Sequence, residues 1–367
     1  MDTITYKQFK RLFIIAFLSL NFLTFPSRLT QQTGSDGMVC ILITGAVAYL
    51  AIVCGVKIML AHPSKSFPEV LKIIFGKWLS KIILFLFVMN FMLFTLYTLR
   101  ILAELICSYI IPDMPLIMVE SVFLLTCMYL LFRRLRTLGN VAQILFGLLA
   151  ANFVVLSFVC IGPSNPMNLL PLFTSKPLDY LNGTLVMCAY LFSGALTIPF
   201  FMPYICDLKQ NSGRIFKDML GMVAMVCGVY CLFYYFCIGV LGKRYCAKYV
   251  FPAMSVAQGD GDSSAFFERF ELILLINMLC MMFTYITVML KGIKFAIYDS
   301  SLKEKNKAVL LAVSLSLIMA ADIFLNTETV GKVVFRFMDA SNLTSSHMSL
   351  LIFVYVIMLI RGRRAVE

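Results

Sequence analysis

Charge is what this sequence has least of. Only 14% of its 367 residues are charged, against about a quarter in soluble domains. With 61% of the residues hydrophobic, no soluble fold has enough interior to hold them. Histidine is nearly absent. His62 and His347 fall near opposite predicted membrane faces, which argues against a His-based metal site. Twelve cysteines are present but no C-x-x-C pair, so they read as small apolar packing residues. Cys246 alone falls in an external loop, without an obvious disulfide partner. The sequence also has no Walker A loop, no Gly-x-Ser-x-Gly elbow and no H-E-x-x-H helix. Neither ATP-driven pumping nor hydrolysis has a visible site, and no enzyme activity, cofactor or metal is expected.

The apolar residues come in blocks close to the roughly 20 needed to cross a bilayer as helix. Helices satisfy their own backbone hydrogen bonds in lipid, so the expected fold class is all-α, a polytopic membrane helix bundle of ten transmembrane helices. The spans fall near Leu12 to Leu29, Gly37 to Ala61, Ile82 to Ile111, Leu116 to Phe132, Val141 to Ile161, Leu181 to Cys206, Met219 to Leu241, Phe266 to Leu290, Ala308 to Leu325 and Thr344 to Ile360. The first run follows Lys10 and Arg11 and has no small-residue cleavage site, so it reads as a span rather than a signal peptide. The segment Ser66 to Ser80, which holds the only tryptophan, Trp78, is either an amphipathic helix on the cytoplasmic interface or an extension of the third span.

The chain carries a net charge of +12. That excess is divided among short loops rather than gathered into a nucleic-acid patch, and it reports orientation. With the N-terminus inside, 22 of the 31 basic residues fall on the cytoplasmic side and seven outside. Both termini are therefore expected in the cytoplasm.

Ten spans divide into five plus five, and an odd number per set inverts the second set in the membrane. The first repeat covers about 8–161 and the second about 180–325, with a short final helix at 344–360. In inverted repeats of this kind the substrate sits near the midplane, where helices break at matching positions. Spans 1 and 6 match. Span 1 has Asn21 in its apolar interior and Pro26 behind it; span 6 has Ser193-Gly194, Thr197, Pro199 and Pro203. Glycine frees the backbone and proline removes donors, so a helix can open there and offer bare N–H and C=O groups. Such groups suit the carboxylate and ammonium of an amino acid.

Within span 3, Tyr97, Arg100 and Glu104 share one helix face. They form either a ligand or coupling site or a structural ion pair near the outer end. Span 8 opens with Glu268-Arg269-Phe270-Glu271 and carries Asn277, Thr284, Tyr285 and Thr287 further in. Of its charges Glu271 is the one expected to face the bundle. Thr284 and Tyr285 are deep enough to line a cavity, although single hydroxyls in membrane helices commonly bond a backbone carbonyl.

With these features the chain resembles the spore germination permease family, the B subunits of bacterial spore germinant receptors. The resemblance rests on the ten-span layout, on Arg100-x-x-x-Glu104-Leu105 before Pro112 and Pro115, and on Asn165-x-x-Asn168-Leu169-Leu170-Pro171 after span 5. It rests further on the Ser193-Gly194 break and on Glu268-Arg269-Phe270-Glu271. The family belongs to the amino acid, polyamine and organocation transporter superfamily, which implies a LeuT-like inverted repeat. It also implies a sensor of small nutrients in the spore inner membrane, working with an A membrane subunit and a C lipoprotein. By position, the resemblance puts the ligand pocket at Asn21, Phe22, Tyr97, Ser193, Gly194, Ala195, Thr284 and Tyr285, with Arg100, Glu104 and Glu271 as structural or coupling charges. Many relatives carry an acidic or bulky residue where this chain has Ala195, which leaves the ligand's identity open. A secondary amino acid permease coupled to an ion is the alternative function, and a membrane scaffold with a vestigial pocket is a third.

Overall fold

The computed structural model describes residues 3–19, 22–63, 65–192, 194–258, 270–297 and 351–360. Outside them lie Asn21, Ser193, Glu268, Arg269, His347 and span 9, as does the side chain of Glu271.

The described chain is helical, with no strand among these residues. The first span is two helices, α1 (Tyr6–Ser19) and α2 (Phe25–Thr33), and Pro26 occupies the first turn of the second, where its missing N–H is harmless. A short 3₁₀ turn, Gly34–Asp36, leads into α3 (Gly37–Ala61). Next come α4 (Phe67–Tyr109), α5 (Leu116–Phe132), α6 (Leu135–Ile161) and α7 (Pro177–Phe192). Span 6 then continues in short pieces: a 3₁₀ turn Ala195–Thr197, α8 (Ile198–Phe201) and a second turn Met202–Tyr204. The remaining helices are α9 (Leu208–Asn211), α10 (Ile215–Lys248), α11 (Pro252–Gln258), α12 (Phe270–Ile297) and α13 (Leu351–Ile360).

Five helical stretches among the described residues are long and apolar enough to cross a membrane. Many of their outward side chains are large and apolar, such as Leu42, Phe85, Ile144 and Phe158. A surface like that is stable against lipid and unstable against water. These helices fit the ten-span layout.

Helix α4 starts at a capping box, in which the Ser66 N–H donates to Glu69 Oε2 at 2.9 Å. At 1.5 Å per residue its 43 residues span about 65 Å, twice what the membrane core requires. Gly76, at φ 80°, divides the length, since that backbone conformation suits glycine alone. Residues 67–75 thus form a separate helical segment, joined through Gly76 to the spanning part. A similar break at Gly242, φ 73°, corrects the placement of Cys246. The apolar run ends at Leu241, but the helix resumes after Gly242 and carries Cys246 into a buried position beside Thr30, with Sγ to Oγ1 at 3.4 Å. All twelve cysteines are free thiols.

At its N-terminal end the chain is tied to the end of span 6. The Ile4 N–H donates to the Tyr204 carbonyl and the Cys206 N–H to the Ile4 carbonyl, both at 3.0 Å, and the Tyr6 N–H donates to Asp207 Oδ1 at 2.6 Å. The two matching spans are therefore joined at one face of the bundle. Buried Lys291 of α12 donates to the Arg133 carbonyl at 2.8 Å and the Leu131 carbonyl at 3.3 Å. It supplies cationic donors to carbonyls that have no intrahelical partner at the end of α5.

Candidate functional site

Span 1 leaves helix at residues 22–24, a turn before α2, and span 6 passes from α7 to a 3₁₀ turn at Ala195–Thr197, with Gly194 itself at φ −66°, ψ −34°. The two meet. A Cβ built on Gly194 would lie 3.0 Å from Cδ1 of Phe17, in the last turn of α1, so any side chain there would press on that ring. The Gly194 carbonyl accepts from Thr197 Oγ1 at 2.7 Å and from the Thr197 N–H at 3.2 Å. Ala195 is buried beside it.

At the end of α1 the carbonyl of Phe17 is taken by Tyr230 of α10, whose hydroxyl donates at 3.0 Å. Tyr230 thus supplies a donor to a carbonyl in the last turn of α1. Phe22 sits within the span 1 break and stacks on Phe233 at 4.1 Å between ring centroids, with its edge to Tyr230 at 5.4 Å. Phe25 meets the same tyrosine at 4.7 Å. The break is thus braced by aromatic rings from α10. None of those rings was legible as a site residue, because they sit in an unbroken apolar and aromatic stretch of α10.

Next to the break lies a cavity of about 20 Å³ lined by Leu18, Phe22, Asn152, Asn277 and neighbouring apolar side chains. That is room for about one water. Asn152 donates to the Ile273 carbonyl at 3.4 Å. The buried Oδ1 of Asn277 has no hydrogen-bond partner among the described residues.

Helix α12 packs against α4, and at Gly292 it comes close enough that an added Cβ would lie 3.2 Å from Phe91 and 3.5 Å from Thr197. Tyr97 of α4 is half-buried. The hydroxyl of Thr284 donates to the Cys280 carbonyl of its own helix at 2.9 Å, and Tyr285 is fully buried. Neither borders the Asn277 cavity. Gly194 adjoins the last turn of α1, Phe22 lies against α10, Tyr97 is on α4, and Thr284 and Tyr285 are on α12.

Arg100 and Glu104 pair within α4, Nε to Oε1 at 3.0 Å. The guanidinium also faces Glu120 of α5, with Nη1 to Oε1 at 3.8 Å. Glu120, buried to 2% exposure, was not read from the sequence. Its signal was a lone carboxylate in an apolar span, which is costly enough in lipid to demand a partner. Glu104 borders an open cleft of about 620 Å³ with Cys107, Tyr109, Tyr249 and Phe251.

Asp36 was missed as well. Its carboxylate accepts the backbone N–H of Phe173 at 2.6 Å, of Thr174 at 2.9 Å and of Ser175 at 3.0 Å, and the Tyr180 hydroxyl at 3.0 Å. Burial alone would raise its pKa. The hydrogen bonds from Ser175, Phe173 and Tyr180 outweigh burial and hold the pKa below the ordinary value of 3.8.

Irregular first and sixth spans packed among long apolar helices match the plan of a secondary-transporter fold. The likeness extends to solved structures. A Na⁺-coupled sialic acid symporter in its substrate-bound, outward-open state superposes with a TM-score of 0.66 at 10% identity, covering 94% of this chain and 78% of that one. A mutant form of the manganese transporter of Eremococcus coleocola gives 0.58 at 13% identity, covering 95% and 77%. At such identities the likeness concerns the fold. A profile of the family described as Spore germination protein matches residues 3–330, and the chain belongs to that family. It is similar to spore germination protein YndE of Bacillus subtilis, 23% identical over 281 residues, which is 76% of each chain. To spore germination protein KB of the same organism it is 24% identical over 60% of this chain and 58% of that one. To spore germination protein A2, also of Bacillus subtilis, it is 24% identical over 73% and 72%.

Proposed function

We propose that this chain is a B-type, nutrient-sensing subunit of a spore germinant receptor and that it binds a small germinant, probed first as an amino acid, between the two helix breaks. Family membership supports the receptor role. The observation that carries the site is the packing of Gly194 against the last turn of α1, which brings the irregular parts of spans 1 and 6 close to one another. Asn21, Phe22, Ser193, Gly194 and Ala195 form the pocket; Tyr97 closes it from α4, and Thr284 and Tyr285 close it from α12. Binding favours one arrangement of the bundle, and that bias passes to the A membrane subunit and the C lipoprotein in proportion to the differential affinity. The charge asymmetry supports cytoplasmic termini, and the family supports residence in the spore inner membrane.

Spores whose other receptors are deleted test the site. Gly194→Trp fills the junction and is expected to abolish the nutrient response with protein still in the membrane. Tyr97→Ala is the second variant should Gly194→Trp fail to accumulate. A normal response at normal protein level in either variant overturns the placement. Robust uptake of a labelled amino acid by the purified chain alone in proteoliposomes would overturn the pure-sensor reading in favour of an ion-coupled permease.

A further inference from the structure

Basic residues from two distant parts of the sequence converge on one cleft. Lys7, Lys10 and Arg11 from the start of α1 face Arg214 and Lys217 at the start of α10, around a space of about 670 Å³. Asp218 is the acidic residue in its lining, and it pairs with Lys10, Nζ to Oδ2 at 3.4 Å. Four cations are left without a carboxylate partner among the described residues. A mere orientation signal needs only a count of basic residues per loop; it does not require that residues some 200 positions apart share a pocket.

The cleft is ordered along the helix axes. Its charges lie at the first turns of α1 and α10, and one to two turns deeper the lining becomes Ile14, Phe146, Met222 and Met225. The Arg11 guanidinium lies 5.7 Å over the Phe146 ring, at the junction of the two zones. Beside the cleft, Ile144 and Leu148 of α6 and Leu220 and Met225 of α10 are exposed, so its side opens toward lipid. Gly221 keeps it open, since a Cβ there would meet nothing within 4 Å.

Cations at headgroup depth above an apolar, laterally open wall match an amphiphile that carries phosphate. The geometry points to a binding site for an anionic phospholipid, its phosphodiester held by Lys7, Arg11, Arg214 and Lys217 and its acyl chain lying along Phe146 and Met225. Basic pockets between membrane helices bind such headgroups in this way. A bound phosphate ties α1 to α10, and α1 is the half-helix that ends at the Phe17–Gly194 junction. The lipid therefore steadies one wall of the candidate site.

The test uses the full chain purified in neutral detergent, with bound lipid read by native mass spectrometry and stability by thermal unfolding. Phosphatidylglycerol is expected to be retained in about tenfold excess over phosphatidylcholine and to raise the unfolding temperature. Lys7→Gln/Arg214→Gln/Lys217→Gln should cut that retention about tenfold or more, while Lys65→Gln/Lys77→Gln/Lys81→Gln, with equal charge loss elsewhere, leaves it unchanged. Gly221→Trp, which fills the cleft and removes no charge, should match the first variant. Glycerol phosphate at millimolar concentration should not displace the lipid; displacement would mean a soluble-anion site and would overturn the proposal. Equal retention of both lipids, or equal loss in both triple variants, would overturn it too.

Discussion

The two broken helices end in opposite chemistries. The second half of span 1, α2, is short and polar, and it is held at the Asp36 end of the bundle by hydrogen bonds. Ser27 and Gln31 both donate to the Ala247 carbonyl, Thr30 meets Tyr234, and Asp36 grips three successive N–H groups of the loop at 173–175. The second half of span 6 is apolar and buried at the other end. There Phe200 packs against Phe67, Phe87 and Phe91 at 4.7 to 5.4 Å, and Phe201 against Phe13 and Phe295. Directional polar contacts can be exchanged for water or ligand one at a time, whereas an interlocked aromatic cluster yields only as a unit. The comparison makes the Asp36 end the adjustable one and the Phe200 end the fixed one.

Phe200→Ala probes the fixed end and should have the largest effect. Loss of a ring from a site with no room to collapse costs about 3 to 4 kcal/mol, read from denaturant unfolding of the detergent-solubilised protein by circular dichroism. Arg100→Met comes next. It leaves the buried Glu120 carboxylate without the guanidinium and should cost about 3 kcal/mol. Glu120→Gln in the same background should restore part of the loss, because the stranded charge is then gone. If Phe200→Ala cost less than about 1 kcal/mol while Arg100→Met cost its full amount, the aromatic end would not be the fixed one.

What could be read in the sequence follows from the range of each interaction. The breaks in spans 1 and 6 were visible because Pro26, Gly194, Pro199 and Pro203 act on their own backbone. The Arg100–Glu104 pair was visible because an i,i+4 spacing is fixed by helix geometry. Glu120 was not, since its approach to Arg100 depends on how α4 and α5 are rotated against each other. Asp36 was hidden for a similar reason: its donors lie more than 130 residues away in an irregular loop. Cys246 was misplaced because an apolar run stops at Leu241 while hydrogen bonding does not. Tyr230 caps the Phe17 carbonyl across 213 positions, and nothing in its own neighbourhood marks it.

Asp36→Ala tests the adjustable end directly. It removes the acceptor shared by the N–H groups of Phe173, Thr174 and Ser175 and the Tyr180 hydroxyl, for an expected loss of about 1 to 2 kcal/mol at neutral pH. The pH dependence separates this carboxylate from its surroundings. Because the folded-state pKa lies below 3.8, the contribution is complete above that value and disappears as the pH falls through the folded pKa. The gap between wild type and Asp36→Ala should therefore close under acid, while the gap for Phe200→Ala stays open. A gap for Asp36→Ala that did not narrow at any acid pH at which the protein stays folded would mean that the alanine acts by distorting the loop.

Thr30→Val is the smallest and most discriminating change. Its hydroxyl donates to the Pro26 carbonyl at 2.6 Å and lies 3.2 Å from the Tyr234 hydroxyl and 3.4 Å from Cys246 Sγ. Valine keeps the shape, and Tyr234 keeps its bond to the Gly34 carbonyl. The loss should then be about 1 kcal/mol, with no dependence on acid, because no charge is involved. A substitution so mild leaves the fold intact, so its effect on germination reads the mechanics of the break itself. If the polar end is where the bundle adjusts, Thr30→Val should alter the germinant concentration for half-maximal response without lowering the maximum. A lowered maximum with unchanged half-saturation would place the adjustment elsewhere, and the contrast between the two ends would then concern stability alone.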